Sequence, residues 1–291
     1  MPLGSSVPAP MKRLVHTGSL AIGRLSARSR MLPSFLIAGG QRCGTTSMYR
    51  ALADHPTVLK AVLHKGVHYF DVDYHRGPDW YRGHFPLRRT ARKVAARTGA
   101  RAQTFESSPY YMYHPLAAER IAAALPDVRL IVLIRDPVER AYSQHAHEVA
   151  RGFETERDFT VAIGREPGRL LGEVDRLRAD PTYYSHAHQH HAYVERGQYV
   201  DHLQRLETVF GRDRIHVVDA EMFFTQPEPV YDSVLSFLRL PDLGYPRFER
   251  HNARRRGPMP ERTRDLLTRH FEPYNRRLVE WLGYRPSFVE R

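Results

Sequence analysis

The chain of 291 residues holds a single cysteine, Cys43, so neither an intramolecular disulfide framework nor a cysteine-rich zinc module can be built from it. Long apolar runs are missing too. The longest aliphatic stretch is Leu130, Ile131, Val132, Leu133 and Ile134, far short of the roughly 20 residues that a membrane-spanning helix needs. Lysine is almost absent: only Lys12, Lys60, Lys65 and Lys93 occur, so nearly all of the 44 basic residues are arginine. Set against 32 acidic residues, they leave a formal net charge of +12, which suits an anionic ligand such as a nucleotide, an acidic sugar or nucleic acid. No helix-turn-helix, zinc-finger or aromatic ribonucleoprotein pattern accompanies the charge, so nucleic acid is not the expected partner.

What is present is an ordinary globular composition, 42% hydrophobic and 26% charged, enough apolar surface for a core. Residues 1–30 scatter Lys12, Arg13, Arg24, Arg28 and Arg30 among Ser, Gly and Pro, and their apolar residues are too interrupted for a signal peptide; a flexible basic arm and a cytoplasmic setting are the expectation. From Phe35 the pattern changes. A short buried strand at 35–38 leads into a glycine-rich loop and then an amphipathic helix that ends before Pro56. A second such unit begins at 129–134 and passes through Arg135, Asp136 and Pro137 into a helix reaching about Arg151. Further strands are predicted at 102–106 and 215–219, and helices at 115–124, 199–210, 229–238 and 260–271. Alternating strands and helices predict one α/β domain over 31–291 with a parallel sheet, interrupted by an irregular or helical insertion at about 152–192 that carries His186, His188, His190 and His191.

Two loops carry the chemistry. Gly39 and Gly44 have the spacing of a phosphate-binding loop, but Thr45 stands where an ATPase has lysine. Glycine-freed amides at a helix N-terminus still suit an anion, with Thr45, Thr46 and Ser47 adding hydroxyls and Arg42 the charge; Cys43 contributes its backbone and packs its thiol. In the second loop Arg135 ends a strand and Ser143 follows two helical turns later, so both can meet one anion beside the first loop. Asp136 reads as a helix cap and Arg140 as a helix-surface charge.

The loop from Gly39 to Ser47, together with Arg135-Asp136-Pro137-Val138-Glu139-Arg140-Ala141-Tyr142-Ser143, resembles the sulfotransferases that use 3′-phosphoadenosine 5′-phosphosulfate (PAPS), in particular the branch of the heparan-sulfate glucosaminyl sulfotransferases and their bacterial relatives. The similarity extends through Lys65-Gly66-Val67-His68-Tyr69-Phe70-Asp71, Asp79-Trp80-Tyr81, Glu106-Ser107-Ser108-Pro109-Tyr110 and a late segment with Asn275. It implies a phosphate-loop (P-loop NTPase-like) fold with a central parallel sheet, PAPS as sulfuryl donor and no metal. It also implies that the first loop holds the sulfated 5′ end, Arg135 and Ser143 hold the 3′-phosphate, and Arg254, Arg255 and Arg256 close over the nucleotide.

This chain departs from the resemblance in three places. Arg42 replaces the loop lysine of the family and keeps its charge for catalysis, to stabilise the leaving phosphate oxygen; Gly66 stands at the position of the general-base glutamate of the heparan-sulfate branch, and Ser107 at that of a substrate-site lysine of that branch. His68, two residues from Gly66 on what is expected to be the same side of an extended segment, becomes the expected base, with Asp71 and Glu106 in reserve. A glutamate restored at 66 is expected to point beside it. Trp80 and Ser107 are expected on the acceptor side. The competing readings are a phosphate-loop kinase or NTPase, for which Asp136 would be the tempting magnesium ligand, and a non-catalytic polyanion-binding protein.

Overall fold

The computed structural model describes residues 18–249 and 257–289. Its centre is a five-stranded, wholly parallel sheet: β1 (Phe35–Gly39), β2 (Val58–Lys60), β3 (Gln103–Ser107), β4 (Arg129–Ile134) and β5 (Ile215–Asp219), in the spatial order β2-β3-β1-β4-β5. β1 is buried along its whole length, as are five of the six residues of β4, which is why both read as unbroken apolar runs rather than alternating ones. The chain leaves β1 towards one side and crosses to the other on the way from β3 to β4. A crevice therefore opens at the carboxyl ends of β1, β3 and β4.

The helices between the strands are α1 (Thr45–Ala53), α2 (Pro78–Arg82), α3 (Arg88–Thr98), α4 (Ala117–Ala124), α5 (Pro137–Arg151), α6 (Phe159–Leu170), α7 (Glu173–Ala179), α8 (His186–His190) and α9 (Tyr199–Phe210), with α10 (Ala220–Thr225), α11 (Pro227–Leu238) and α12 (Glu261–Leu282) following β5. The alternation and four of the strands fall where periodicity places them. The three-residue edge strand β2 and the arginine-rich α3 carry too little apolar signal to be found that way. α12 runs well past the expected end at Phe271, through Pro273; the lost backbone bond is offset by burial of Leu278 and Leu282 and by Trp281 Nε1 donating to Glu207 at 2.5 Å.

One segment differs from expectation. Part of the predicted arm is docked: residues 18–25 are helical, Ala27 is buried, Arg30 donates to the Phe85 carbonyl at 2.7 Å, and Arg82 donates to the Arg30 carbonyl at 2.9 Å. Residues 1–17 lie outside the described residues. The insertion is helical, comprising α6, α7 and α8. Its α6 is fastened to α5 and α12 through a second apolar cluster that includes Val138, Phe159, Ile163, Tyr193 and Phe271.

Arg140, expected on a helix surface, is instead wholly buried: it donates to Gln144 Oε1 at 2.7 Å and to the Tyr193 carbonyl, and so pins α5 to the chain that returns from the insertion. Asp136 does cap α5, accepting from the Val138 amide at 2.8 Å and the Glu139 amide at 3.5 Å. Asp136→Ala should lower the unfolding free energy by about 1 kcal/mol. Denaturant melts check this, and an unchanged midpoint would mean that the cap contributes nothing.

Candidate functional site

The crevice holds a cavity of about 400 Å³, within the range of small-ligand sites. Its floor is the start of α1. Gly44 caps this helix with φ of 87°, and a Cβ there would sit 2.8 Å from Phe224 Cζ, so both the turn and the packing require glycine. No side chain caps α1, and a helix N-terminus of this kind suits an anion. Thr45 and Thr46 line the cavity; Ser47 is buried outside its wall. Cys43 is fully buried, with Sγ 3.5 Å from the Tyr199 hydroxyl, and burial pushes its thiol pKa up: it is packing, not a nucleophile.

Arg42 adopts a left-handed φ of 68° and turns its guanidinium towards α5, donating from Nε to Ser143 Oγ at 3.1 Å and lying 3.4 Å from His147 Nδ1. Arg135 reaches the same wall, 3.4 Å from both the Arg42 carbonyl and Glu221 Oε1. The first and second loops thus converge as the sequence suggests. Arg254, Arg255 and Arg256 lie outside the described residues.

The opposite wall is segment 65–71, and its geometry departs from a strand. The Lys65 carbonyl accepts from the Ser107 amide at 2.9 Å and the Val67 amide donates to Glu106 Oε2 at 2.9 Å, after which His68 turns with φ of 54°. Glu106, a reserve base in the sequence reading, does not line the cavity. It is fully buried and also accepts from Ser108 Oγ at 2.6 Å, Tyr111 Oη at 2.7 Å and Tyr81 Oη at 3.3 Å, so it fastens these groups together. Asp71 is likewise off the cavity wall. It holds His68 Nδ1 at 2.8 Å, which leaves Nε2 as the ring nitrogen available in the cavity. Burial alone would depress the His68 pKa; the charge and hydrogen bond of Asp71, with Glu106 and Asp73 behind it, outweigh that and push it up to about 9.

Ser107 does line the cavity, and its Oγ is a buried hydroxyl without a partner among the described residues. Trp80 does not: it packs edge-on to His84, ring centroids 4.3 Å apart, with the Arg76 guanidinium 5.1 Å from its ring.

Several wall residues escape sequence reading because nothing in their local pattern marks them. Gln41 donates to Glu148 Oε1 at 3.3 Å and accepts from Arg196, itself buried and donating to the His188 and Gln189 carbonyls at 3.0 and 2.7 Å. Glu148 in turn holds His190 Nδ1 at 2.9 Å. The insertion thereby contributes Gln189 and His190 to the wall of the cleft. Its histidines are spoken for: His186 and His191 each approach the Phe153 carbonyl, at 3.0 and 2.9 Å, and His188 Nδ1 approaches Tyr110 Oη at 2.7 Å. Lys65, visible in its motif but given no role there, places Nζ 2.9 Å from Thr46 Oγ1.

Gly66 also acquires a reason. A Cβ on it would meet the Ser107 carbonyl oxygen at 2.5 Å and Ser108 Oγ at 3.1 Å, so a restored glutamate cannot simply point beside His68. Gly66→Ala should destabilise the protein by about 1–3 kcal/mol through overpacking, and Gly66→Glu should fare no better and confer no activity on a His68→Gln protein. A Gly66→Glu variant that melts like the wild type would show that the two segments separate easily.

The sequence matches the sulfotransferase domain family over residues 32–249. Among characterised proteins it is 29% identical over 233 residues to the human heparan sulfate glucosamine 3-O-sulfotransferase 5, covering 79% of this chain and 58% of that protein. It is 28% identical over 226 residues to the human bifunctional heparan sulfate N-deacetylase/N-sulfotransferase 2, covering 74% of this chain and 23% of that one, so it spans only part of either relative's length. A crystal structure of a sulfotransferase from Alicyclobacillus acidocaldarius superposes with a TM-score of 0.64 at 25% identity, covering 87% of this chain and 97% of that one. No helix among the described residues is long and apolar enough to cross a membrane. With its glycine-started helix, its arginine and serine on the neighbouring α5 unit, and a match that spans strands β1 to β5, this chain belongs to the sulfotransferase family.

Proposed function

We propose that the protein transfers the sulfuryl group of PAPS to a hydroxyl or amine of its acceptor. The observation that carries this reading is the convergence of the α1 N-terminus, Arg42, Arg135 and Ser143 on one cavity, which suits a nucleotide with phosphates at two places. In this reading the 5′ end lies against Thr45 and Thr46, and the 3′-phosphate displaces Ser143 from Arg42 and pairs with Arg135. A magnesium-dependent NTPase is disfavoured by Asp136, whose carboxylate is engaged in capping α5. Binding of a polyanion without chemistry is disfavoured by the His68–Asp71 pair, which has no use in it. Cys43 is unpaired and buried, so the fold has no need of an oxidising compartment, in keeping with a cytoplasmic setting.

In the reaction the bond between sulfur and the 5′-phosphate oxygen breaks, its electron pair staying on the phosphate, while the acceptor oxygen or nitrogen bonds to sulfur and its proton passes to His68 Nε2. Asp71 fixes the ring and stabilises the imidazolium that forms. Ser107 offers its unpartnered hydroxyl to the acceptor. The glucosamine acceptors named for the relatives are not carried over, because Gly66 and Ser107 stand where that branch has glutamate and lysine.

Calorimetry tests the donor. Adenosine 3′,5′-bisphosphate should bind at least tenfold more tightly than ATP or a DNA duplex, and Arg135→Ala should weaken it far more than it weakens adenosine 5′-phosphosulfate, which lacks the 3′-phosphate. Equal losses on the two ligands would reject the 3′-phosphate assignment. Because a base must be neutral and the His68 pKa is raised, turnover should climb with pH towards about 9 instead of levelling near neutrality. His68→Gln should abolish that limb while nucleotide affinity stays; a flat profile in the wild type would remove His68 as the base.

A further inference from the structure

We infer that Lys65 supplies the cation at the 5′-phosphosulfate end of the donor, contacting it from the opposite wall of the cleft. The inference rests on the donor reading above and adds a residue to it. The loop's own cation is directed elsewhere: Arg42 is drawn to Ser143 and His147 on α5, on the 3′ side. Lys65 stands on the other flank, with Nζ 2.9 Å from Thr46 Oγ1 at the start of α1 and 5.8 Å from the Tyr49 ring centroid. Thr46 takes one of the three ammonium protons. Among the described residues no carboxylate lies within ion-pairing distance of Nζ, although the side chain lines the cavity.

An ammonium group withdrawn from water with no counter-charge is costly to a resting protein. Burial, aided by the repulsion of Arg50, depresses the Lys65 pKa to about 8. That cost disappears when an anion arrives between Lys65 and the α1 amides, and the interaction strengthens further as the departing phosphate oxygen gains charge. Segment 65–71 holds Lys65 in place because the Lys65 carbonyl and the Val67 amide are both tied to β3, through the Ser107 amide and Glu106.

The test separates charge from scaffolding. Lys65→Gln can keep a hydrogen bond to Thr46 but not the charge, Lys65→Met keeps only bulk, and Lys65→Arg keeps charge. Affinities are measured for adenosine 3′,5′-bisphosphate and for adenosine 3′-phosphate, which lacks the 5′ group. Both the Gln and Met variants should lose at least tenfold for the bisphosphate and less than threefold for the monophosphate, with Arg retaining affinity. Since the ligand-free protein is relieved of an unpaired charge, Lys65→Met should melt at or above the wild-type temperature. Rescue by Gln, equal losses on both nucleotides, or a lowered melting temperature with affinity intact would each overturn the inference and leave Lys65 a structural clamp. Failure of the wild type to bind the bisphosphate at all would instead sink the donor reading.

Discussion

The wall of the cleft formed by segment 65–71 depends on one buried carboxylate. Glu106 lies one residue before the end of β3, and its two oxygens gather the Val67 amide and the hydroxyls of Ser108, Tyr111 and Tyr81. Segment 65–71 belongs to no strand; besides the Ser107 amide and core burial of Val67, Tyr69 and Phe70, it is held by the His68 amide on Ser108 Oγ and the Tyr69 amide on Tyr111 Oη, two hydroxyls that Glu106 itself anchors. Burying a carboxylate is expensive unless its lone pairs are filled, and four donors fill them here. Through that one group the positions of Lys65, Gly66 and His68 are set together. It explains why a residue that resembles a base in sequence acts as a fastener in the fold.

The second organising feature is the sign of the cavity. Arg42, Lys65, Arg135, Arg151 and Arg196 all reach its wall, and Glu148 is the acidic residue among them. Glu148 is already committed to His190 and Gln41, and Glu221 only partly answers Arg135. Positive groups held near one another with so few counter-charges destabilise the empty protein and favour any dianion that can bridge them. The broad arginine excess of the sequence does not by itself reveal this; the convergence of these few side chains does.

How far the sequence could be read follows from where the information lies. The strands β1, β3, β4 and β5 and the two ligand loops were legible because each is local: an apolar run, a glycine spacing, an Asp-Pro helix start. Arg140 was misplaced because a lone arginine on a helix carries no sign of the carbonyl it will meet 53 residues away. Gln41, Glu148 and Arg196 were missed for the same reason, since each meets partners far away in sequence. Glu106, Asp71 and His68 stood in the right motif but could not be sorted into fastener, positioner and ligand-facing group without knowing which way each side chain points. The left-handed turn at His68, invisible to a strand-period argument, decides it.

The two departures from the heparan-sulfate branch then become one structural change. Gly66 and Ser107 are direct neighbours: the Ser107 amide binds the Lys65 carbonyl, and the Ser107 carbonyl occupies the space that a side chain at 66 would need. Closing the two segments this tightly excludes a glutamate at 66, and a chain without that glutamate has no anionic base for a lysine at 107 to face. What remains on this wall is a hydroxyl at 107, an imidazole made strongly basic by Asp71, and an ammonium group one residue before the glycine. In the proposed reaction the proton-accepting group is thereby shifted from position 66 to 68. On that proposal, the acceptor presents its nucleophile to a histidine held by a turn rather than to a carboxylate, with Ser107 in place of a long cation to grip it. Selection among acceptors should follow the shape and hydrogen bonding of that wall more than attraction between charges at position 107.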